Sequence, residues 1–197
     1  LAKLKSPEII ESVFEDSDFQ ILSKSLNHVA KSLPFDSGFG RFTGSQFDIP
    51  ILKEYTDKVL SKAREVFDSP TLLPTYSLFA HYETNRARLW KHIDDNACTY
   101  TLDMCVYQNF PWDLWVDNQS YTLHPNQALA YYGNDQEHWR DSFPYPELQH
   151  VAMVFFHFAE PDHWWFTKGQ SYLSVIRKEM TDLEWEQSRV GKTSSTL

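Results

Sequence analysis

The stretch Val151 to Phe158, VAMVFFHF, is the most apolar run in the chain and constrains the fold more than any other feature. It has the length of a strand and is far short of the ~20 residues that cross a bilayer. It reads as a central strand, and a central strand needs partners on both sides. Candidates precede it. Leu72 to Tyr82 looks like a strand interrupted at Pro74, and Cys98 to Tyr107 reads as a long strand. Trp112–Val116 and Tyr121–Leu123 are shorter, and Gln127–Tyr132 is bounded by Pro125-Asn126 and Gly133-Asn134. Tyr172–Arg177 adds one more.

The N-terminal third has a different period. Phe19, Leu22, Leu26, Val29 and Leu33 follow a helical stripe that Ser17-Asp18 can cap and Pro34 ends. A second helix opens at Pro50 and carries Ile51, Leu52, Tyr55, Val59, Leu60, Ala63, Val66 and Phe67 on one face, with Ser69-Pro70 as its stop. The Gly-, Ser- and Phe-rich segment Leu33–Phe47 between them reads as a loop. Thr181 with Glu184 predicts a last helix, and the polar tail from Gly191 a frayed end. The expectation is a mostly β (α+β) fold, a sandwich or barrel with a helical layer. One domain is expected over residues 1–197, with a helical part at about 1–70, a strand core at about 71–178 and a C-terminal helix and tail at 181–197.

Composition narrows the function. Apolar residues at 42% and charged residues at 23% fit a packed core rather than disorder. A net charge of −9 and no Lys/Arg run longer than two disfavour a nucleic-acid partner. No basic-then-apolar leader opens the sequence and no membrane segment is visible, so the cytoplasm is the expected compartment. Cys98 and Cys105 lie an odd number of residues apart on one expected strand, on opposite faces, and are expected to be buried thiols rather than a disulfide.

The stretch with the most chemistry is His92-Ile93-Asp94. In an extended backbone, residues i and i+2 share a face, so the imidazole and carboxylate can converge on one ion. A facial iron site needs two His and one carboxylate with open positions left for reactants. His124, His138, His150, His157 and His163 are candidates for the third ligand. His138 is preferred, because the turn at Gly133-Asn134 would bring it back across the sheet as the second arm of a hairpin. His150 and His157 are seven apart on one strand and face opposite ways, so one of them could also reach a site; His157 reads as a core residue.

The order of these segments resembles the iron(II)- and 2-oxoglutarate-dependent oxygenases of the prolyl-4-hydroxylase-like group, small bacterial and phage-type members above all. The resemblance runs over about residues 70 to 160. It rests on Tyr82, His92-x-Asp94, Cys98-Thr-Tyr-Thr-Leu-Asp, Pro111-Trp-Asp-Leu-Trp, Asn126-Gln-Ala-Leu-Ala-Tyr-Tyr, Glu137-His138-Trp139-Arg140-Asp141 and Val151–Phe158. It implies a double-stranded β-helix, or jelly roll, behind N-terminal helices. It also implies Fe(II) on His92, Asp94 and His138, with 2-oxoglutarate and O2 as cosubstrates. The reaction would be hydroxylation of a peptidyl proline, an amino acid or another small molecule, releasing succinate and CO2.

The chain departs from the pattern at one point. The family usually places Lys or Arg on the strand after the distal His, and here that region reads Glu147-Leu-Gln-His-Val-Ala-Met153. Arg140, two residues past His138, is the expected substitute for gripping the distal carboxylate of 2-oxoglutarate, with Tyr82 and Tyr132 as candidate hydroxyls and His150 as a second choice of cation. Arg86 and Arg88 precede His92 at even spacing and either point inward or form surface ion pairs. The Trp112/Trp115 and Trp164/Trp165 pairs line a substrate pocket or pack the core. Two other functions stand beside the oxygenase: a non-catalytic jelly-roll module that binds a ligand, and a cupin-like metalloenzyme that does not use 2-oxoglutarate.

Overall fold

The computed structural model describes residues 6–83, 87–143 and 149–168. The expected strand at Tyr172–Arg177, the helix at Thr181, the tail from Gly191 and the side chain of Arg86 lie outside the described residues. The elements in chain order are β1 (Glu8–Ile10), α1 (Asp16–Val29), β2 (Phe35–Asp36), β3 (Arg41–Ser45), α2 (Pro50–Val66), β4 (Leu73–Tyr82), β5 (Leu89–His92), β6 (Tyr100–Gln108), β7 (Leu114–Val116), β8 (Gln119–Tyr121), β9 (Ala128–Tyr131), β10 (His138–Arg140), β11 (Val151–Ala159) and α3 (Trp164–Thr167). One sheet has the order β1-β9-β6-β11-β4-β3-β2 and the other β5-β10-β7-β8. All pairings are antiparallel. From β4 onward the chain passes back and forth between the two sheets, which is the winding of a double-stranded β-helix.

β11 is the central strand that its composition predicts. It pairs with β4 on one side and β6 on the other, and all nine of its residues are buried. Both faces are covered, by different layers. Ala152, Val154, Phe156 and Phe158 join Leu102, Met104 and Val106 of β6 against the two helices. Val151, Met153 and Phe155 face the barrel interior, with Tyr82, Cys105, Leu129 and Tyr131 from the same sheet and Leu89, Trp112, Leu114 and Val116 opposite. The helices contribute Phe19, Leu22, Leu26, Leu52, Tyr55, Val59 and Ala63, the expected stripes. α2 begins with Pro50 in its first turn. α1 starts earlier than expected, after Glu15, and no side chain caps it; Asp16 and Asp18 in the first turn complement its dipole instead.

Three expectations need correction. The segment read as a loop contains β3, which pairs with β4 from Arg41↔Tyr82 to Ser45↔Leu78. Gly44 and Ser45 weaken the strand preference that Phe42 and Thr43 give it, but the open edge of β4 presents unpaired N–H and C=O groups that a neighbouring segment can satisfy. β9 and β10 do not form a hairpin. β9 is flanked by β1 and β6, so both its edges are occupied, and β10 crosses to the other sheet. Pro74 does not interrupt β4; a register shift opposite Phe156 and Phe158 absorbs it. Cys98 ends a short 3-10 turn (Asn96–Cys98) just before β6, and both cysteines are buried thiols. No described helix is long and apolar enough to cross a membrane.

Candidate metal centre

β5 and β10 place two imidazoles side by side. His92 closes β5, His138 opens β10, and the two are register partners. Further along, Arg140 pairs with Leu89, so a single residue of β10, Trp139, lies opposite two of β5, Trp90 and Lys91. The extra residue is a bulge, a device that re-aims a side chain within a strand. It puts Leu89 and His92, three apart, on the same inner face. The bulge also undoes the even-spacing argument for Arg88, whose guanidinium lies over the Trp90 ring at 3.9 Å.

Asp94 follows two residues later. Its backbone N–H donates to the Gly133 carbonyl at 2.8 Å. Its Oδ1 lies 3.3 Å from His92 Nε2 and 3.6 Å from His138 Nε2. The Nδ1 atoms are engaged elsewhere, with the Trp90 carbonyl at 2.6 Å for His92 and the Gln136 carbonyl at 3.0 Å for His138. A carbonyl accepts only, so Nδ1 carries the proton on both rings. Nε2 then presents a lone pair toward the carboxylate in the neutral form. This outer hydrogen bond is what orients and tautomerises a metal-ligating histidine. Two imidazole nitrogens and one carboxylate oxygen thus converge as a cluster able to hold an ion. Burial would raise the Asp94 carboxyl, but the two imidazoles beside it hold it well below the usual carboxylate range. Burial and the neighbouring His138 lower His92, whereas for His138 the attraction of Asp94 outweighs burial and raises it.

The cluster opens into a pocket lined also by Phe39, Arg41, Tyr76, Leu78, Leu89, Asp103, Tyr131, Phe155 and His157. Two features of that lining are not legible from the local sequence. Arg41 comes from β3, donates to the Tyr82 hydroxyl at 2.9 Å, and has a buried Nε that makes no hydrogen bond and lies 3.9 Å from Asp36 Oδ2. Asp103 accepts from the Tyr131 hydroxyl at 3.1 Å, while its buried Oδ1 has no partner. Burial pushes the Asp103 carboxyl up to about 7, against the pull of His138 and Arg140. His157 faces the pocket, and His150 stacks on His81 at 6.1 Å, so the two diverge as their odd separation predicts.

The other expected site residues are placed as follows. Tyr82 is buried, holds Arg41 through its hydroxyl and packs edge-on against Trp112 at 4.9 Å. Tyr132 turns to the helical side, against Phe67 and Tyr100. Its neighbour Tyr131 takes the inward position, since successive strand residues alternate faces. Arg140 shares the inner side of β10 with His138, but its NH1 donates to the Trp112 carbonyl, its NH2 lies 3.7 Å from Met153 Sδ, and it is absent from the pocket lining. Of the tryptophans, Trp112 packs in the barrel, Trp115 stacks on Trp139 at 5.7 Å, and Trp165 stacks on Tyr76 behind the pocket.

No family model matches the chain, and no curated protein matches it in sequence. Solved structures do match in fold. A prolyl hydroxylase from Trichoplax adhaerens, in complex with a hypoxia inducible factor peptide fragment, superposes with a TM-score of 0.54 at 14% identity, over 77% of this chain and 83% of that one. EvdO2 from Micromonospora carbonacea, complexed with 2-oxoglutarate, gives 0.58 at 11% identity over 81% and 90%. HygX from Streptomyces hygroscopicus, with nickel and 2-oxoglutarate bound, gives 0.55 at 10% identity over 78% and 83%. The chain therefore has the jelly-roll fold of the 2-oxoglutarate-dependent oxygenases, and at its inner face it carries a cluster of two histidines and one carboxylate. At these identities the likeness is one of fold.

Proposed function

We propose that this protein is an iron(II)- and 2-oxoglutarate-dependent dioxygenase that hydroxylates a peptidyl residue, an amino acid or another small molecule and releases succinate and CO2. The observation that carries the reading is the convergence of His92 Nε2, His138 Nε2 and Asp94 Oδ1, with both Nδ1 atoms tied to backbone carbonyls. Two nitrogens and a hard oxygen suit Fe(II) and leave the remaining coordination positions to reactants. Bound iron with 2-oxoglutarate and O2 would supply the oxidising power to replace a C–H bond by C–OH.

The chain's own residues do the positioning. Arg41 is the one Arg or Lys among the described residues lining the pocket, and its guanidinium is poised to grip the distal carboxylate with Tyr82 beside it. This moves the anion-binding role from Arg140, whose guanidinium is turned to Trp112 and Met153. Leu78, Leu89, Phe39 and Phe155 add an apolar side to a lining that is otherwise polar, a surface on which the hydrocarbon part of a substrate can rest. Asp103 and Tyr131 provide a polar patch that accepts or donates according to the carboxyl's protonation.

An anaerobic Fe(II) titration with and without 2-oxoglutarate tests the reading. The expected result is a weak visible charge-transfer band in the wild type, lost in His92→Ala and weakened at least tenfold in affinity in Arg41→Ala. Loss in Arg140→Ala with Arg41→Ala unaffected would return the anchor to Arg140. Iron binding without the band would overturn the 2-oxoglutarate reading in favour of a metalloenzyme of another reaction type. No metal binding would leave a ligand-binding jelly-roll module.

A further inference from the structure

A second cluster adjoins the first and shares Asp94. A carboxylate oxygen of Asp94, the Cys98 Sγ and a ring nitrogen of His157 all lie within 4.8 Å of one another. We propose that these three residues form a second metal site, one that takes a thiophilic divalent ion such as Zn²⁺ or Co²⁺, with Asp94 as the carboxylate common to both sites.

Several independent features bring these side chains together. Asp94 and Cys98 are four apart across the 3-10 turn, which the Asp95 side chain caps by accepting from the Ala97 N–H at 2.8 Å. The turn sets both side chains over the start of β6. His157 arrives from β11 as the next inward position after Met153 and Phe155. It is 5% exposed; the ring lies against the Tyr76 backbone, and its buried Nδ1 makes no well-aligned hydrogen bond. A buried imidazole nitrogen without a well-aligned hydrogen bond costs free energy unless a further group completes it. Tyr76 holds both other ligands in place. Its ring packs on His157 at 4.6 Å and its hydroxyl lies 3.2 Å from Cys98 Sγ. Tyr76, Asp94 and His157 all line the same pocket, so an ion has a route in.

The donor set differs in kind from that of the first cluster. His92, Asp94 and His138 offer two nitrogens and an oxygen. Cys98, His157 and Asp94 offer sulfur, nitrogen and oxygen, which favours Zn²⁺ or Co²⁺ over Fe²⁺. On binding, the Cys98 S–H bond breaks, a sulfur–metal bond forms, and the proton leaves to solvent. Three protein ligands leave a fourth tetrahedral position for water. Asp94 Oδ1 faces the two imidazoles of the first cluster, and the carboxylate has a second oxygen to offer.

The test uses Co²⁺ alone under anaerobic conditions, read by the near-ultraviolet sulfur-to-cobalt charge-transfer band. It does not involve 2-oxoglutarate or turnover. The band is expected in the wild type and in the double variant His92→Ala/His138→Ala, which retains only the second cluster. It is expected to vanish in Cys98→Ser and to need at least tenfold more Co²⁺ in His157→Ala. Absence of the band from both the wild type and the double variant overturns the proposal. A band present in the wild type but lost in the double variant also overturns it, because Cys98 would then be an extra ligand to the first ion. In neither case is the oxygenase reading overturned, since that reading stands on His92, Asp94 and His138 and is read separately by the anaerobic Fe(II) titration with 2-oxoglutarate.

Discussion

His92 and His138 are direct cross-strand partners, with ring centroids 4.2 Å apart and Nε2 atoms both turned to Asp94 Oδ1. Two buried imidazoles around a carboxylate form a cluster able to hold a dication. Binding an ion to the folded state alone stabilises it by about 2.7 kcal/mol at a free concentration 100-fold above Kd. Thermal unfolding with Fe(II) or Co²⁺ should therefore show a rise in Tm for the wild type. Asp94→Ala, which removes the ligand that both clusters share, should show none.

Gly133 is the backbone contact that lets Asp94 approach. A Cβ there would sit 2.5 Å from Thr101 Oγ1, 2.6 Å from Asp94 Oδ2 and 2.6 Å from the Cys98 carbonyl. Two of these neighbours are the carboxylate between the two imidazoles and fixed backbone, so neither yields cheaply. Gly133→Ala should fold with a lower Tm and bind metal at least tenfold more weakly, as measured by calorimetric titration. Unchanged affinity would show that the carboxylate can move without cost.

Tyr131 and Tyr132 separate the two faces of β9. Removing the Tyr131 hydroxyl takes the donor from Asp103 Oδ2 and leaves a buried carboxyl with no hydrogen bond among the described residues, a cost of ~1–3 kcal/mol. Tyr131→Phe should therefore destabilise the fold and alter the iron chelate spectrum. Tyr132→Phe, on the helical side, should leave that spectrum unchanged. Urea unfolding and the anaerobic titration read the two effects separately.

Glu160 ties the end of β11 to two other segments. It accepts from Ser69 at 2.7 Å, Thr71 at 2.7 Å and Tyr100 at 3.1 Å. Burial raises its carboxyl, but the three hydroxyls outweigh burial and lower it from the ordinary 4.5. The folded state therefore binds its proton less readily than the unfolded chain, and the contribution is complete above the unfolded value. It is lost as pH falls from 4.5 through the lowered folded value. The wild type should be more stable than Glu160→Gln at pH 7, and the difference should shrink below pH 4.5 in denaturation curves taken across that range.

Phe156 is fully buried between β11 and the helices, edge-on to Phe14 at 6.2 Å. Phe156→Ala should cost ~3–5 kcal/mol in urea unfolding, the usual range for an aromatic deletion in a closed core. Trp115→Ala, on a partly exposed stacked pair, should cost less.

Much of the architecture is readable along the chain because it is governed by local periodicity. The stripe of α2 and its Pro50 start, the two-sided burial of Val151–Phe158, and the i, i+2 relation of His92 and Asp94 all follow from residues within a few positions of one another. The even spacing of Arg88 and His92 misleads for a definite reason: the bulge between Leu89 and His92 shifts the parity, and the partner strand that defines it lies far off in sequence. β3 misleads in another way. Gly44 and Ser45 dilute the strand preference of Phe42 and Thr43, and the edge of β4 supplies the hydrogen bonds that make the segment a strand.

The sequence by itself determined which segments alternate, which carry a helical stripe, and that the side chains of His92 and Asp94, two apart, would converge. Only the tertiary structure decided that β9 and β10 lie in opposite sheets, that His138 stands across from His92, that Arg41 replaces Arg140 at the pocket wall, and that Tyr131 rather than Tyr132 faces inward. These depend on strand register and on which edges are already paired. A one-residue change in register turns every side chain of a strand to the other face, and nothing within the strand itself sets that register.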